Sequence, residues 1–421
     1  MMRALFRQRG SQFSVDIVAA PDAVAFISEH AAALDSSFSQ VPMSDAMRRR
    51  LSRSNFIFSG MKAFHELHEA FPSLVDENGV RKPFERFLND VRAIDKTYNA
   101  NYLRAEYNFV AASADMAAKW ERFSQDGDRY NLQYRTAGDG RVRPEHADLD
   151  GVTLPPSDSF WQEFYPPNGW NCRCNVIQVR KSKYPITPHD EAMRRGNEAL
   201  AKDARGIFRF NPGCEQKSVP DYNPYTIRSC NTCPIAKGNK GAFARFVPNN
   251  EVCAACVLVR KCEQLRSEII KHGKGSIEIS HLVNRNDSDF KRLLSVAKFF
   301  AAEGTTVSIT PKMSRPPKFE YDCVYGSLRG TRYYGKCPDL KIGELWYEHE
   351  GFTTDNPKRA FSNMINHGMK QSDRIIIDKP NLTDAYMKRV VFQRIKDGHR
   401  ITEVWLNENG ILRLLYKKSE E

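Results

Sequence analysis

The stretch from Asn131 to Val179 reads NLQYRTAGDGRVRPEHADLDGVTLPPSDSFWQEFYPPNGWNCRCNVIQV. It limits what this chain can fold into more than any other segment. It is dense in Pro, Gly, Asp, Trp and paired Cys, and it lacks the periodic apolar pattern of an ordinary helix. Such a run needs several special backbone geometries, held by contacts among its own side chains. A compact module of short strands and turns is therefore expected over residues 125–180. Trp161, Phe164, Tyr165 and Trp170 would supply its small core, and Arg135, Arg143, His146, Asp150, Trp170 and Cys172 should lie within one unit.

Three pieces of this run, YRTAGDGRVRP, HADLDG and PPNGWNCRC, occur in an order and spacing that resemble the signature of the phage Mu F-like head morphogenesis (minor head) proteins. With the upstream FSGMKAFHEL and YNANYLRAEYN, the resemblance covers roughly residues 45–185. It implies a protein of phage or prophage head assembly near the portal, with portal, capsid and scaffold proteins as partners. It also implies residence in the host cytoplasm during assembly and then in the virion head. Related head proteins often carry a Cys-x-x-Cys where this chain has Arg143 and His146. His146, Cys172 and Cys174 give three ligands of a zinc site, with Asp148 or Asp150 as candidates for the fourth. The competing reading is a packed, hydrogen-bonded turn module without metal.

The 421 residues can hold two or three domains, and a hydrophobic content of 41% is enough for real cores. The net charge is +12 with a pI near 9.1. That surplus favours acidic partners, nucleic acid first, or else a solvated basic face. The N-terminus shows no apolar signal-peptide core. No run approaches the roughly 18 apolar residues of a membrane span. A soluble protein without a membrane partner is expected, and its ten cysteines should be thiols or metal ligands.

The expected fold class is α+β in three parts: a helical N-terminal region with the Pro/Gly-rich module (1–185), a cysteine-rich linker-like insert (186–274), and an α/β C-terminal domain (275–421). Ser44 can cap a helix. Phe56, Met61, Phe64, Leu67 and Phe71 recur on one helical face. Phe84 to Trp120 reads as one long amphipathic stretch, with Phe84, Phe87, Val91, Ile94, Tyr98 and Tyr102 in near-heptad order. In the C-terminal part, the pattern predicts helices at 289–303, from Pro357 to about Lys370, and at 382–396. It predicts strands at 305–310, 344–348 and 374–378, then a hairpin about Asn409-Gly410.

In the insert, Cys230-x-x-Cys233 and Cys253-x-x-Cys256 are separated by nineteen residues. Two such knuckles can present four thiolates to one structural Zn²⁺, and the spacing is close to that of zinc ribbons. The bland alternative is a loop-rich insert with unliganded cysteines.

Further on, Lys336-Cys-Pro-Asp339-Leu-Lys341 and Glu344-Leu-Trp-Tyr-Glu348-His-Glu350 precede a helix and the strand RIIID. This pattern resembles C-terminal nuclease toxin domains of contact-dependent inhibition proteins, grouped as barnase/EndoU/colicin/RelE-like. Two chemistries stay open. A metal-dependent PD-(D/E)xK nuclease would hold Mg²⁺ with Asp339 and Glu348, but Glu350 stands where that mechanism wants Lys. A metal-free ribonuclease would use an acid–base pair and cations drawn from His281, Lys341, His349, Arg374 and Thr402. The second functional reading is accordingly an RNA-cleaving toxin or effector fused to a head-protein module. A basic stripe from Lys370 to Arg400 suits nucleic-acid phosphates or plain solvated helix surface.

Overall fold

The computed structural model describes residues 1–227, 249–313, 318–352 and 354–418. The chain divides into two compact units, Met1–Glu263 and Gln264–Glu421.

The first unit begins with helices. Ser44 caps the Asp45–Ala70 helix, its Oγ accepting from Met47 N at 3.1 Å. The two stretches read separately in the sequence form one helix, because nothing between Asp45 and Ala70 breaks it. The stretch read as continuous from Phe84 does break. Phe84–Lys96 and Leu103–Asp126 are separate helices joined by a π-helical turn at Thr97–Asn101. A wide turn of this kind inserts a residue into the helical ladder and re-aims side chains. Here it directs Asn99 to Glu66, donating to both carboxylate oxygens at 3.1 and 3.0 Å.

The Pro/Gly-rich module follows as a three-stranded antiparallel sheet ordered β2-β1-β3, with β1 Asn131–Arg135, β2 Thr153–Leu154 and β3 Asn175–Val179. Its core joins Leu132, Tyr134, Phe160, Trp161, Phe164 and Tyr165 to Met116 and Phe123 of the preceding helix. Residues 186–227 are not a linker. They belong to this unit, since their small residues seat directly on its aromatics. A Cβ on Gly196 would lie 2.6 Å from the Phe164 ring, and one on Gly213 would lie 2.2 Å from Trp120. Further along, Ser218 Oγ donates to Asn55 Oδ1 at 2.5 Å.

The helical part also buries a polar network. Glu66 is fully buried, and that burial pushes its carboxyl up to about 8, more than Asn99 pulls it down. Burial pulls His65 down to about 4 against the hydrogen bond to the Tyr225 carbonyl. Glu66 binds a proton on folding between its ordinary 4.5 and 8, so its contribution is complete at low pH and is lost as pH rises through 8. His65 acts the other way, since the unfolded side chain binds the extra proton between 4 and its ordinary 6.5. The two slopes oppose each other below 6.5, and the contribution of Glu66 continues to fall above it. The stability that the wild type holds over Glu66→Gln should therefore fall between pH 6.5 and 8, read as the difference between their thermal midpoints. A difference that stays flat or rises over that window would contradict this account.

The second unit is built on one mixed sheet ordered β11-β10-β9-β8-β7-β6-β5-β4. Its strands are β4 Ser267–His272, β5 Gly275–Ser280, β6 Thr306–Ile309, β7 Leu340–Ile342, β8 Leu345–Glu350, β9 Arg374–Asp378, β10 Glu403–Glu408 and β11 Ile411–Lys417. The unit starts upstream of the expected boundary at 275, because β4 pairs antiparallel with β5, Ser267 opposite Ser280. The parallel pairs β5–β6, β8–β9 and β9–β10 need crossovers. The helices Phe290–Ala302, Pro357–Gln371 and Asp384–Lys396 supply them. Strand alternation divides RIIID between two cores. Ile376 joins the core of the 290–302 helix, whereas Ile375 and Ile377 join that of the other two. Among the described residues, no helix is long and apolar enough to cross a membrane.

Candidate functional site

Two places gather chemically useful side chains, one in each unit. In the first unit, the Pro/Gly-rich run closes on itself as expected. Asp150 Oδ1 accepts from Thr136 N at 2.7 Å, and its Oδ2 lies 3.6 Å from Arg135. Arg143 donates to the Trp170 carbonyl at 2.6 Å, clamping the turn that Asn168 and Gly169 open. Asn171 sits at φ 57°, and Cys172 N closes the turn on Gly169 O at 3.1 Å. The short helix Pro144–Ala147 carries His146, 4% exposed, to the same point. Its Nδ1 lies 3.8 Å from Cys172 Sγ and 3.7 Å from Cys174 Sγ. These three ligand atoms lie within 4.8 Å of one another, the one such group of His, Cys, Asp and Glu found among the described residues. The Cys174 thiol and His146 draw Cys172 below the usual range, while the bond to Cys172 and burial push Cys174 above it. Asp150 is spent on Thr136 and Arg135, and Asp148 does not join the group, so neither is a fourth ligand here.

The other cysteine set is only half visible. Cys230 and Cys233 lie outside the described residues. Cys253 and Cys256 stand one turn apart on the helix Asn249–Gln264, not in a knuckle turn. That helix forms because Val252, Ala255, Cys256, Val259 and Cys262 recur at helical spacing and are buried.

In the second unit, β7 and β8 bring together Asp339 and Glu348. Asp339 N donates to Glu348 Oε2 at 3.1 Å, and His349 N donates to Asp339 Oδ2 at 3.4 Å. Both side chains are buried. Burial raises Asp339, and burial together with the Asp339 charge raises Glu348. Glu350, two residues along the same strand face, is pushed up to about 7, by burial first and then by Asp339. The cation beside them is one the sequence did not suggest. Lys312 Nζ lies 4.0 Å from Asp339 Oδ1 and 3.5 Å from Asp289 Oδ2, beside a cleft of about 90 Å³. Lys312 lies in the connection after β6, and only the sheet order brings that connection to the start of β7.

The remaining expected residues do not converge there. Lys341 turns its amine to Glu344 at 2.8 Å. Because Glu348 pairs with Ile375, Arg374 falls on the opposite sheet face, where it donates to Asp373 at 2.9 Å. Thr402 N binds the Asp373 carbonyl, and His281 is exposed beyond β5. His349 faces away from Asp339 with its ring and meets Asp378 at 3.1 Å. Part of the basic stripe is paired with acids: Lys379 with Glu408, Arg394 with Asp397 and Arg400 with Asp373.

A three-stranded module closed by His146, Cys172 and Cys174 is the setting in which the comparisons fall. Residues 79–177 match the family described as Phage Mu protein F like protein. Over 107 residues the chain is 38% identical to "Putative capsid assembly protein F" of Escherichia phage Mu, covering 24% of this chain and 21% of that protein. Over 78 residues it is 43% identical to "Mu-like prophage FluMu F protein" of Haemophilus influenzae (strain ATCC 51907 / DSM 11121 / KW20 / Rd), covering 17% of this chain and 19% of that protein. The chain thus spans about a fifth of the length of these curated relatives. No solved structure matches. The matched segment lies wholly within the first unit.

Proposed function

We propose that this chain acts in phage head assembly through its Mu F-like segment, with the capsid, portal and scaffold proteins as partners. The observation that carries this is the 38% identity to a protein named for capsid assembly, alongside a family match over residues 79–177 that takes in His146, Cys172 and Cys174. On this reading the protein works in the host cytoplasm and enters the virion head. The test is to assemble particles from the same phage with and without the chain. Loss of the chain should lower the yield of closed heads, and the chain should co-sediment with portal-containing intermediates. Normal heads without it, and no association with them, would end the proposal.

A second reading applies to the second unit, where the buried pair Asp339–Glu348 with Lys312 favours nuclease-like chemistry. Glu350 occupies the place where a metal-dependent mechanism wants a cation, and Lys312 supplies one from another strand connection. In the metal-dependent version, Asp339 and Glu348 hold Mg²⁺, which supplies charge stabilisation of the phosphate. In the metal-free version, the Glu348 carboxyl, pushed up by its own burial and then by the Asp339 charge, is the general acid and Lys312 binds the phosphate. Lys341 and Arg374 are paired with Glu344 and Asp373, His281 and Thr402 do not line the cleft, and none of the four is part of this proposal. The full chain should cleave RNA, and Asp339→Asn or Lys312→Ala should each lower the rate by about 10²-fold or more. Cleavage abolished by EDTA and restored by Mg²⁺ selects the first version, and cleavage that survives EDTA selects the second. A folded chain that cleaves neither RNA nor DNA removes the nuclease reading, and the toxin alternative with it. The proposed zinc of Cys230, Cys233, Cys253 and Cys256 would be structural, and Cys230→Ser should then lower bound zinc.

A further inference from the structure

We propose that His146, Cys172 and Cys174 bind one Zn²⁺ whose fourth coordination position opens onto an arginine-lined basin and accepts an anionic ligand. The first support is geometric. Zn–S bonds of 2.3 Å and Zn–N bonds of 2.0–2.1 Å at tetrahedral angles place nitrogen and sulfur ligands about 3.6 Å apart. His146 Nδ1 stands 3.8 and 3.7 Å from the two sulfurs. That spacing is long for an imidazole–thiol hydrogen bond and close to a shared ion.

The second support is how the three groups are held. They come from two segments distant in sequence, and each is fixed by structure that does not depend on the others. His146 is set by the Pro144–Ala147 helix, Cys172 by the turn on Gly169, and Cys174 by its place beside the start of β3. Arg143 ties the two segments together by its bond to the Trp170 carbonyl. Preorganised ligands lower the entropic cost of binding an ion. Two sulfurs and an imidazole favour zinc over magnesium or calcium, which take oxygen ligands.

The third support concerns the open position. Among the described residues no fourth His, Cys, Asp or Glu joins the group. The three ligands instead line a cavity of about 700 Å³ whose wall carries Arg141, Arg143 and Arg173. Three-ligand zinc sites keep a position for an exogenous group, and a wall of guanidinium groups favours an oxyanion or a carboxylate there. On that wall Asp139 pairs with Arg173 at 2.6 Å and with Arg141 at 3.8 Å. On binding, Zn²⁺ displaces the thiol protons of Cys172 and Cys174 to solvent, and no oxidant or reductant is needed.

The test uses the full chain, reconstituted with Zn²⁺ or Co²⁺ under reducing conditions. His146→Phe and the double variant Cys172→Ser/Cys174→Ser should each hold one zinc fewer than the wild type, whatever the other cysteines bind. His146→Cys replaces nitrogen by sulfur and should keep the metal, which separates loss of a ligand from loss of the fold. The Co²⁺ form should show thiolate-to-metal charge transfer that weakens when Cys172 or Cys174 is replaced singly. Azide, used as a small anionic probe, should shift its visible bands. Zinc content equal in the wild type and in both ligand-removing variants would overturn the site. A cobalt spectrum indifferent to azide would overturn the open position.

Discussion

Replacing Lys62 by methionine should destabilise the first unit by about 3–5 kcal/mol, the range for leaving one partner of a buried ion pair uncompensated. Lys62 is 1% exposed and Glu106 is 3% exposed. Lys62 Nζ donates to Glu106 Oε2 at 2.6 Å and meets His30 Nε2 at 3.0 Å. His30 Nδ1 in turn meets Ser59 Oγ at 2.8 Å, and Ser59 donates to the Asn55 carbonyl at 2.7 Å. Tyr225 closes the network by donating to Glu106 Oε1 at 2.9 Å. Burial pushes the Glu106 carboxyl up, but the His30 and Lys62 hydrogen bonds outweigh it and hold the group below the usual range. Burial also draws the Lys62 amine down, against the pull of Glu106. Methionine keeps the packing and strands the carboxylate. Lys62→Met/Glu106→Gln should lose less than the sum of its single changes, since the second change removes the stranded charge. Denaturant unfolding resolved by hydrogen exchange within residues 1–263 would measure this. A loss below about 1 kcal/mol, or strict additivity, would refute the coupled network.

Trp161→Ala should cost a similar amount, about 3–5 kcal/mol, through the cavity it leaves. Trp161 is fully buried, edge-on to Phe160 at 5.0 Å and to Tyr165 at 6.1 Å. Its Nε1 donates to the Pro155 carbonyl at 3.1 Å, and its own carbonyl accepts from Asn211 Nδ2 at 2.9 Å. Alanine would remove the ring and its hydrogen bond to the Pro155 carbonyl, which keeps its bond from Asp158 N, whereas Trp161→Phe keeps most of the apolar volume and should lose clearly less. Because the module's turns have little regular hydrogen bonding of their own, the loss should loosen all of β1 to β3 together. Hydrogen exchange that rises only next to residue 161 would show that this core is not a single cooperative unit.

The sequence by itself determined what short-range chemistry controls. Ser44 started a helix because its hydroxyl reaches the backbone N–H three residues on. Asn409 and Gly410, at φ 54° and 92°, made the β10–β11 hairpin because both positions need positive φ. The Pro/Gly-rich run announced a closed module because nothing else would hold such a backbone. The tertiary structure alone decided the rest. Helical periodicity continued through Thr97–Asn101, and only the contact of Asn99 with Glu66, far away in sequence, shows why the helix widens there. Residues 186–227 carry no strong period of their own, and their place in the first unit rests on fits such as Gly213 against Trp120. Composition could name His146, Cys172 and Cys174 together, but the turn held by Arg143 sets their spacing. In the second unit, Asp339 and Glu348 were legible because they flank one tight hairpin. Lys312 joins them, and Arg374 leaves them, for a reason no local pattern carries. The neighbours and facing of each residue follow from strand order and register, and a one-residue step along a strand moves a side chain to the other side of the sheet.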